Sequence, residues 1–93
     1  ALNFYIKSVA RPLSKDGIRI NGISPGNILF KGSTWDQKIK KHPSIIKEVL
    51  KNVTLSRFGE PKDVSNMCLW LASEYADFCT GSIFIVDGGQ LRN

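Results

Sequence analysis

The chain is short of sulfur, nearly without histidine and lacks any long apolar run, and each shortage removes a class of protein. Cys68 and Cys79 are the only cysteines in 93 residues, too few for a disulfide framework. Cys68 lies in a helix-periodic stretch expected to be buried and Cys79 just ahead of a β-branched one, so both are read as free, small hydrophobes. With His42 as the only histidine, a zinc site would depend on carboxylates, and none shows ligand spacing; no metal is expected. The longest unbroken apolar run, Met67–Ala72, is far below the ~20 residues that cross a bilayer. The N-terminus shows no basic flank followed by an apolar run and a small-residue cleavage site. A cytoplasmic protein with no membrane partner is expected.

What is present points to a folded chain. A length of 93 residues, 42% of them hydrophobic, with two tryptophans and five phenylalanines, allows at most one domain with a small core. No internal repeat, low-complexity tract or linker divides it. The net charge of +5 is uneven: lysines 31, 38, 40, 41, 47 and 51 face only Asp36 and Glu48, so +4 falls between Lys31 and Lys51. Lysines at this spacing form a solvated face or attract an anionic substrate or carrier. Phosphate attraction alone is nonspecific and no nucleic-acid motif accompanies the charge, so no nucleic-acid partner is expected.

The chain opens on an amphipathic helix from Ala1 to about Leu13, with Leu2, Tyr5, Ile6, Val9 and Leu13 on one stripe. Pro12 loosens its last turn and Asp16-Gly17 stops it. Ile18–Ile23, β-branched and bounded by Gly17 and Pro25, reads as a buried strand that Ser24-Pro25-Gly26 ends. A loop over Asn27–Thr34 follows. Thr34-Trp35-Asp36-Gln37 has capping-box spacing, so a helix opens near Trp35. His42-Pro43 interrupts it, and a second helical run buries Ile46, Val49, Leu50 and Val53. Gly59-Glu60-Pro61 marks another start, with Pro61 in the first position and Asp63 near the positive end of the helix dipole. Val64, Met67, Cys68 and Leu71 form its stripe, and Leu69, Trp70 and Ala72 extend it, so this helix should be covered on more than one side. Ser73–Gly81 reads as a connector and Ser82–Val86 as a strand ending in Asp87-Gly88-Gly89. Strand, helices, strand is a crossover unit, which makes the two strands parallel and the fold α/β.

Three stretches carry a family resemblance: Ile18-Arg19-Ile20-Asn21 running into Pro25-Gly26; Arg57-Phe58-Gly59-Glu60-Pro61 with Asp63-Val64; and Leu71-Ala72-Ser73 followed by Thr80-Gly81 and Val86-Asp87-Gly88-Gly89. In this order and separation they resemble the C-terminal part of the classical short-chain dehydrogenase/reductases over nearly all of the chain. The resemblance implies one partial domain over 1–93, the C-terminal part of a Rossmann-like, doubly wound parallel sheet. The first helix would be the one that carries the family's Tyr-x-x-x-Lys near its start, with that lysine just before Ala1. Tyr5 is no substitute, because the residue four positions on is Val9. No catalytic residue is therefore assigned within the chain, and the glycine-rich dinucleotide loop does not occur in it.

The resemblance further implies a piece of an NAD(P)-dependent oxidoreductase that acts on a small carbonyl or alcohol substrate, inactive as these 93 residues alone. NAD or NADP would be its cofactor. Pro25, Gly26, Asn27 and Ile28 would lie against the nicotinamide, with Gly26 letting the backbone approach and the Ile28 N–H and C=O meeting an amide. Phe30 stands where the family often has a threonine that reaches the cofactor, implying a more apolar pocket, and Phe30 and Trp35 are candidate substrate-binding residues. Trp35 also fits a core position, Pro25-Gly26 a plain strand-ending turn, and His42 a solvent-facing helix boundary. Homo-oligomerisation through the last helix and strand is expected. The competing reading is a non-catalytic dimerisation or interaction module built from the same fold.

Overall fold

The computed structural model describes residues 1–91, and its order of elements is helix, strand, two short helices, helix, strand. These are α1 (Leu2–Ser14), β1 (Gly22–Pro25), α2 (Thr34–Lys41), α3 (Ile45–Leu50), α4 (Pro61–Ala72) and β2 (Ile83–Val86), with a 3-10 turn at Glu74–Ala76 inside the stretch expected to be plain connector. The strands are parallel, pairing Gly22 with Ile83 through Pro25 with Val86. Because side chains alternate across a strand, Phe84 turns one way, its ring 6.4 Å from that of Trp70 on α4. Ile83 and Ile85 turn the other way and share a groove with Asn3 and Lys7 of α1. Helices thus cover both faces of a parallel sheet, the doubly wound α/β arrangement the sequence implies.

The helix ends follow their local chemistry. α1 continues past Pro12 to Ser14 and closes where Gly17 takes φ 74°, with the Ile18 N–H on the Leu13 carbonyl at 3.1 Å. Of its expected stripe only Ile6 is buried, joined by Ala10; Leu2 and Tyr5 are exposed. The two-stranded sheet is too narrow to cover the rest: α1 meets it at Gly22, where a Cβ would come within 2.7 Å of Ile6, and at Gly81, where a Cβ would lie 3.2 Å from Ala10.

α2 starts one residue before the expected position. Its cap is Ser33, whose Oγ accepts from the Asp36 N–H at 3.1 Å, while the Asp36 carboxylate accepts from the Gly32 N–H at 2.8 Å. The capping pair is therefore Ser33 with Asp36, and Gln37 instead donates to the Gly32 carbonyl. α3 buries none of its residues, Ile46 is exposed, and of the stripe expected there only Val53, beyond the helix, is buried. α4 has Pro61 in its first turn as expected but no buried residue, and Cys68, Leu69 and Trp70 face outward. Its outer side has no covering element among the described residues.

The first strand lies four residues later at its start than the β-branched run suggests. Ile18–Asn21 faces the turn before β2 instead of a strand, and side chains replace the ladder there. The Ile20 N–H donates to Thr80 Oγ1 at 3.1 Å, the Gly81 N–H to the Ile20 carbonyl at 2.7 Å, and Asn21 bonds both the Cys79 carbonyl and the Ser82 N–H. At the other end Pro25 stays inside the strand. Gly22 and Gly26 donate to Ser82 and Val86, so the period of two turns the nitrogen of Pro25 away from β2 and its missing N–H breaks no bond of the pair.

Candidate functional site

The carboxyl ends of β1 and β2 carry two glycine-containing segments, and their contacts build the site. Gly26 follows β1 so closely against the chain leaving β2 that a Cβ there would sit 2.6 Å from Cβ of Asp87. Asp87 itself accepts from the Gly89 N–H at 2.9 Å. Gly88 and Gly89, both at positive φ, turn their carbonyls to the N–H groups of Leu55 and Thr54, at 2.9 and 3.2 Å. The expected glycine tail is thus a docking strip for the segment after α3.

Ile28 is held by the turn ahead of α4. It forms a parallel bridge with Gly59, in which the Gly59 N–H donates to the Asn27 carbonyl at 2.8 Å and the Leu29 N–H to the Gly59 carbonyl at 2.9 Å. In such a bridge the neighbours of Ile28 carry both bonds, so its own N–H and C=O turn to the opposite side. Neither has a hydrogen-bond partner among the described residues. Gly59 lets the two segments approach closely: a Cβ there would meet the terminal methyl of Ile28 at 2.6 Å and require that side chain to shift.

A pocket of about 290 Å³ lies between these segments, with Asn27, Ile28 and Asp87 on one side and Arg57, Asp63 and Asn66 on the other. Arg57 grips Asp63 with two prongs, Nη1 to Oδ2 at 3.0 Å and Nη2 to Oδ1 at 3.3 Å. That guanidinium, followed by the Glu60 N–H bond, holds the Asp63 carboxyl below its ordinary 3.8, and the carboxylate in turn raises Arg57 above its usual value. Asp63 therefore stays ionised through the neutral range.

Of the residues expected to form a site, Asn27 and Ile28 line this pocket, while Pro25, Gly26, Phe30 and Trp35 do not. Pro25 is exposed at the end of β1. Phe30 is 51% exposed and donates its N–H to Ser33 Oγ. Trp35 is half-buried, packed at 5.5 Å on the ring of Phe58 and capped by Lys38 Nζ, 4.7 Å from its ring centre. Lys40 and Lys51 are paired with Asp36 and Glu48, so part of the lysine stretch is internally compensated. The role of the Arg57–Asp63 pair was not legible from charge pattern alone. Its signal is a cation and an anion bracketing Gly-Glu-Pro, which the sequence offers only as a helix start. Cys68 and Cys79 are free thiols. No group of metal-ligating side chains occurs among the described residues, and no helix among them is long and apolar enough to cross a membrane.

Parallel strands covered on both faces, with a glycine approach and a displayed backbone edge at their carboxyl ends, define the Rossmann-like class of α/β proteins. Within that class the chain belongs to the short-chain dehydrogenase/reductases; the family described as enoyl-(acyl carrier protein) reductase matches residues 1–90. It is 38% identical over 85 residues to isoepoxydon dehydrogenase of Penicillium expansum, covering 91% of this chain and 33% of that protein. Its structure resembles a hydroxysteroid dehydrogenase from Escherichia coli, with TM-score 0.84, 31% identity and coverage of 97% of this chain and 36% of the other. It also resembles a 4-hydroxyisoleucine dehydrogenase complexed with NADH, with TM-score 0.82, 32% identity and coverage of 95% and 35%. The chain spans about a third of the length of these relatives.

Proposed function

We propose that this chain supplies the nicotinamide-side floor and the substrate loop of an NAD(P)-dependent oxidoreductase that converts a small carbonyl or alcohol. The observation that carries the reading is the Ile28 edge: a backbone N–H and C=O, side by side, turned away from the bridge that pins them. A primary carboxamide needs one donor and one acceptor at that spacing, so the residues present fit the nicotinamide end of either cofactor. Pro25 and Gly26 bring the backbone there, with Asn27 and Ile28 making the contact. When bound, the cofactor supplies hydride transfer. Phe30, exposed on the following loop, and Trp35 are the candidate substrate contacts.

Proton transfer is assigned to no residue here. Neither Tyr5 nor Tyr75 has a lysine four positions on, the spacing that places two side chains on one helical face. The 93 residues alone are expected to be inactive, with the mechanism's proton donor outside them. The intact mass of the native polypeptide carrying this sequence comes first, followed by NADH and NADPH titration and turnover on ketones and aldehydes. Ile28→Pro removes the N–H donor and is expected to weaken cofactor binding about tenfold or more, as loss of a hydrogen bond that leaves a buried amide unpaired does. Cofactor affinity unchanged by Ile28→Pro, or turnover by a 10.4 kDa polypeptide, overturns the assignment. The second reading, a non-catalytic interaction module, is favoured by one observation: Leu69, Trp70 and Ile85 are 70%, 42% and 62% exposed on the last helix and strand.

A further inference from the structure

We infer that Arg57 and Asp63 are positioning residues for the nicotinamide, acting through Gly59 on the displayed edge of Ile28; the inference rests on the cofactor reading above. Two peptide units flank Gly59. The unit joining Phe58 to Gly59 donates its N–H to the Asn27 carbonyl at 2.8 Å, and its own carbonyl accepts from Arg57 Nη1 at 2.9 Å. The unit joining Gly59 to Glu60 accepts from the Leu29 N–H at 2.9 Å, and its own N–H donates to Asp63 Oδ2 at 2.7 Å. Each unit is therefore gripped at both ends, by the Ile28 strip on one side and by one member of the ion pair on the other.

The two-pronged contact between Arg57 and Asp63 closes this frame. Charge enhances it: an amide whose carbonyl accepts from a guanidinium is a stronger donor at its N–H, and one whose N–H donates to a carboxylate is a stronger acceptor at its carbonyl. Both effects strengthen the bonds to Asn27 and Leu29. The absence of a Cβ on Gly59 lets the Ile28 side chain pack directly over the turn. The same turn carries the Phe58 ring to Trp35, so one ion pair sets both the cofactor strip and a candidate substrate residue. Neither Arg57 nor Asp63 needs to touch the cofactor for this.

The test uses the full polypeptide that carries this sequence, NADH as the probe, and Arg57→Gln, Asp63→Asn and Arg57→Lys. Three quantities are read: Kd for NADH, the split between cofactor KM and kcat, and hydrogen exchange at the Gly59 and Leu29 amides. Arg57→Gln and Asp63→Asn are expected to speed exchange at both amides and raise Kd and KM by roughly tenfold, because a small misplacement of a binding group is enough. The kcat at saturating NADH should change by less than about threefold, the pattern of lost binding common to ground and transition states. Arg57→Lys keeps the charge without the fork and should fall between. Lys51→Gln, which breaks the ion pair with Glu48 elsewhere, should leave all three quantities unchanged. A fall in melting temperature with Kd unchanged, or unaltered exchange at Gly59 and Leu29, overturns the inference while leaving the cofactor reading intact. If the unaltered polypeptide binds neither NADH nor NADPH, the cofactor reading fails and the inference with it. If the Gln variant does not fold, Arg57→Lys alone decides, and equality with the unaltered protein overturns the proposal.

Discussion

Arg19 ties the segment before β1 to the end of α4 and to the connector that follows it. Its Nη1 donates to the Leu71 carbonyl at 2.8 Å and its Nη2 to the Ser73 carbonyl at 3.3 Å, with Cys79 at the edge of range. It comes from the segment before β1 and places a fixed positive charge on the open carbonyls at the C-terminal end of α4, where both the orphan acceptors and the helix dipole favour a cation. Arg19→Ala is expected to lower stability by about 1.5–3 kcal/mol, the range for charge-assisted bonds whose acceptors are left unpaired. The midpoint of urea unfolding measures it. A midpoint unchanged within error would mean that water replaces the guanidinium without loss. Arg19→Lys should recover only part, because an ammonium cannot reach two carbonyls in the fork geometry.

At the level of elements, α2 and α4 begin in the same way: an aspartate in the first turn accepts an N–H from the chain just ahead of the helix. Asp36 takes the Gly32 N–H and then Lys40, and both hold its carboxyl below 3.8, the backbone bond more strongly. Asp63 is lowered chiefly by Arg57 and then by the Glu60 N–H. A carboxyl lowered in the folded state binds fewer protons there than in the unfolded chain. Its contribution is complete above the unfolded value and is lost as pH falls through the lowered folded one. Hydrogen exchange followed from pH 6 down to pH 2 should therefore show the Gly32 and Glu60 amides losing protection below about pH 4, relative to the α1 interior. Protection at both amides that is flat down to pH 2 would contradict the capping role. Both carboxylates keep partial contact with solvent, so salt should blunt the effect.

Over the whole molecule, the faces outnumber the elements that cover them. The radius of gyration is 16.1 Å, against about 12 Å for a closed domain of this length. The accessible surface is 6957 Å², against about 5,400 Å² for a compact monomer of this mass. Each strand has one neighbour among the described residues, Leu69 is exposed on α4, and Ile85 is exposed on the opposite, α1-side face of β2. Apolar groups so placed are covered by more of the same polypeptide or by a second copy. We propose the second for the outer side of α4, around Leu69. Sedimentation of the native polypeptide should then give an oligomer, and Leu69→Arg should shift it to a lower mass while NADH binding is kept. An unchanged mass for Leu69→Arg, or a monomer before mutation, would assign that face to the polypeptide itself. The 93 residues alone should self-associate, and a monodisperse monomer would count against an interaction module.

The order of elements was readable because it rests on local chemistry. Gly17 stops α1, Pro61 and Asp63 open α4, and the β-branched run before Asp87 makes β2, each through interactions within a few residues. Pro25, Gly26, Asn27 and Ile28 were singled out through the family resemblance; the strand that closes in Pro25-Gly26 accounts for their position at the carboxyl end of the sheet, and of the four only Asn27 and Ile28 line the pocket. Burial was not readable. Helical stripes state which face of α1, α3 and α4 is apolar, whereas only the tertiary arrangement decides that Ile6 and Ala10 are covered while Leu2, Ile46 and Cys68 are not. The strand start at Gly22 likewise depends on where β2 begins, 60 residues away in the pairing of Ile20 with Thr80. The frame around Gly59 needed the tertiary structure altogether, because Arg57, Asp63, Asn27 and Leu29 converge on two peptide bonds whose partners no periodicity announces.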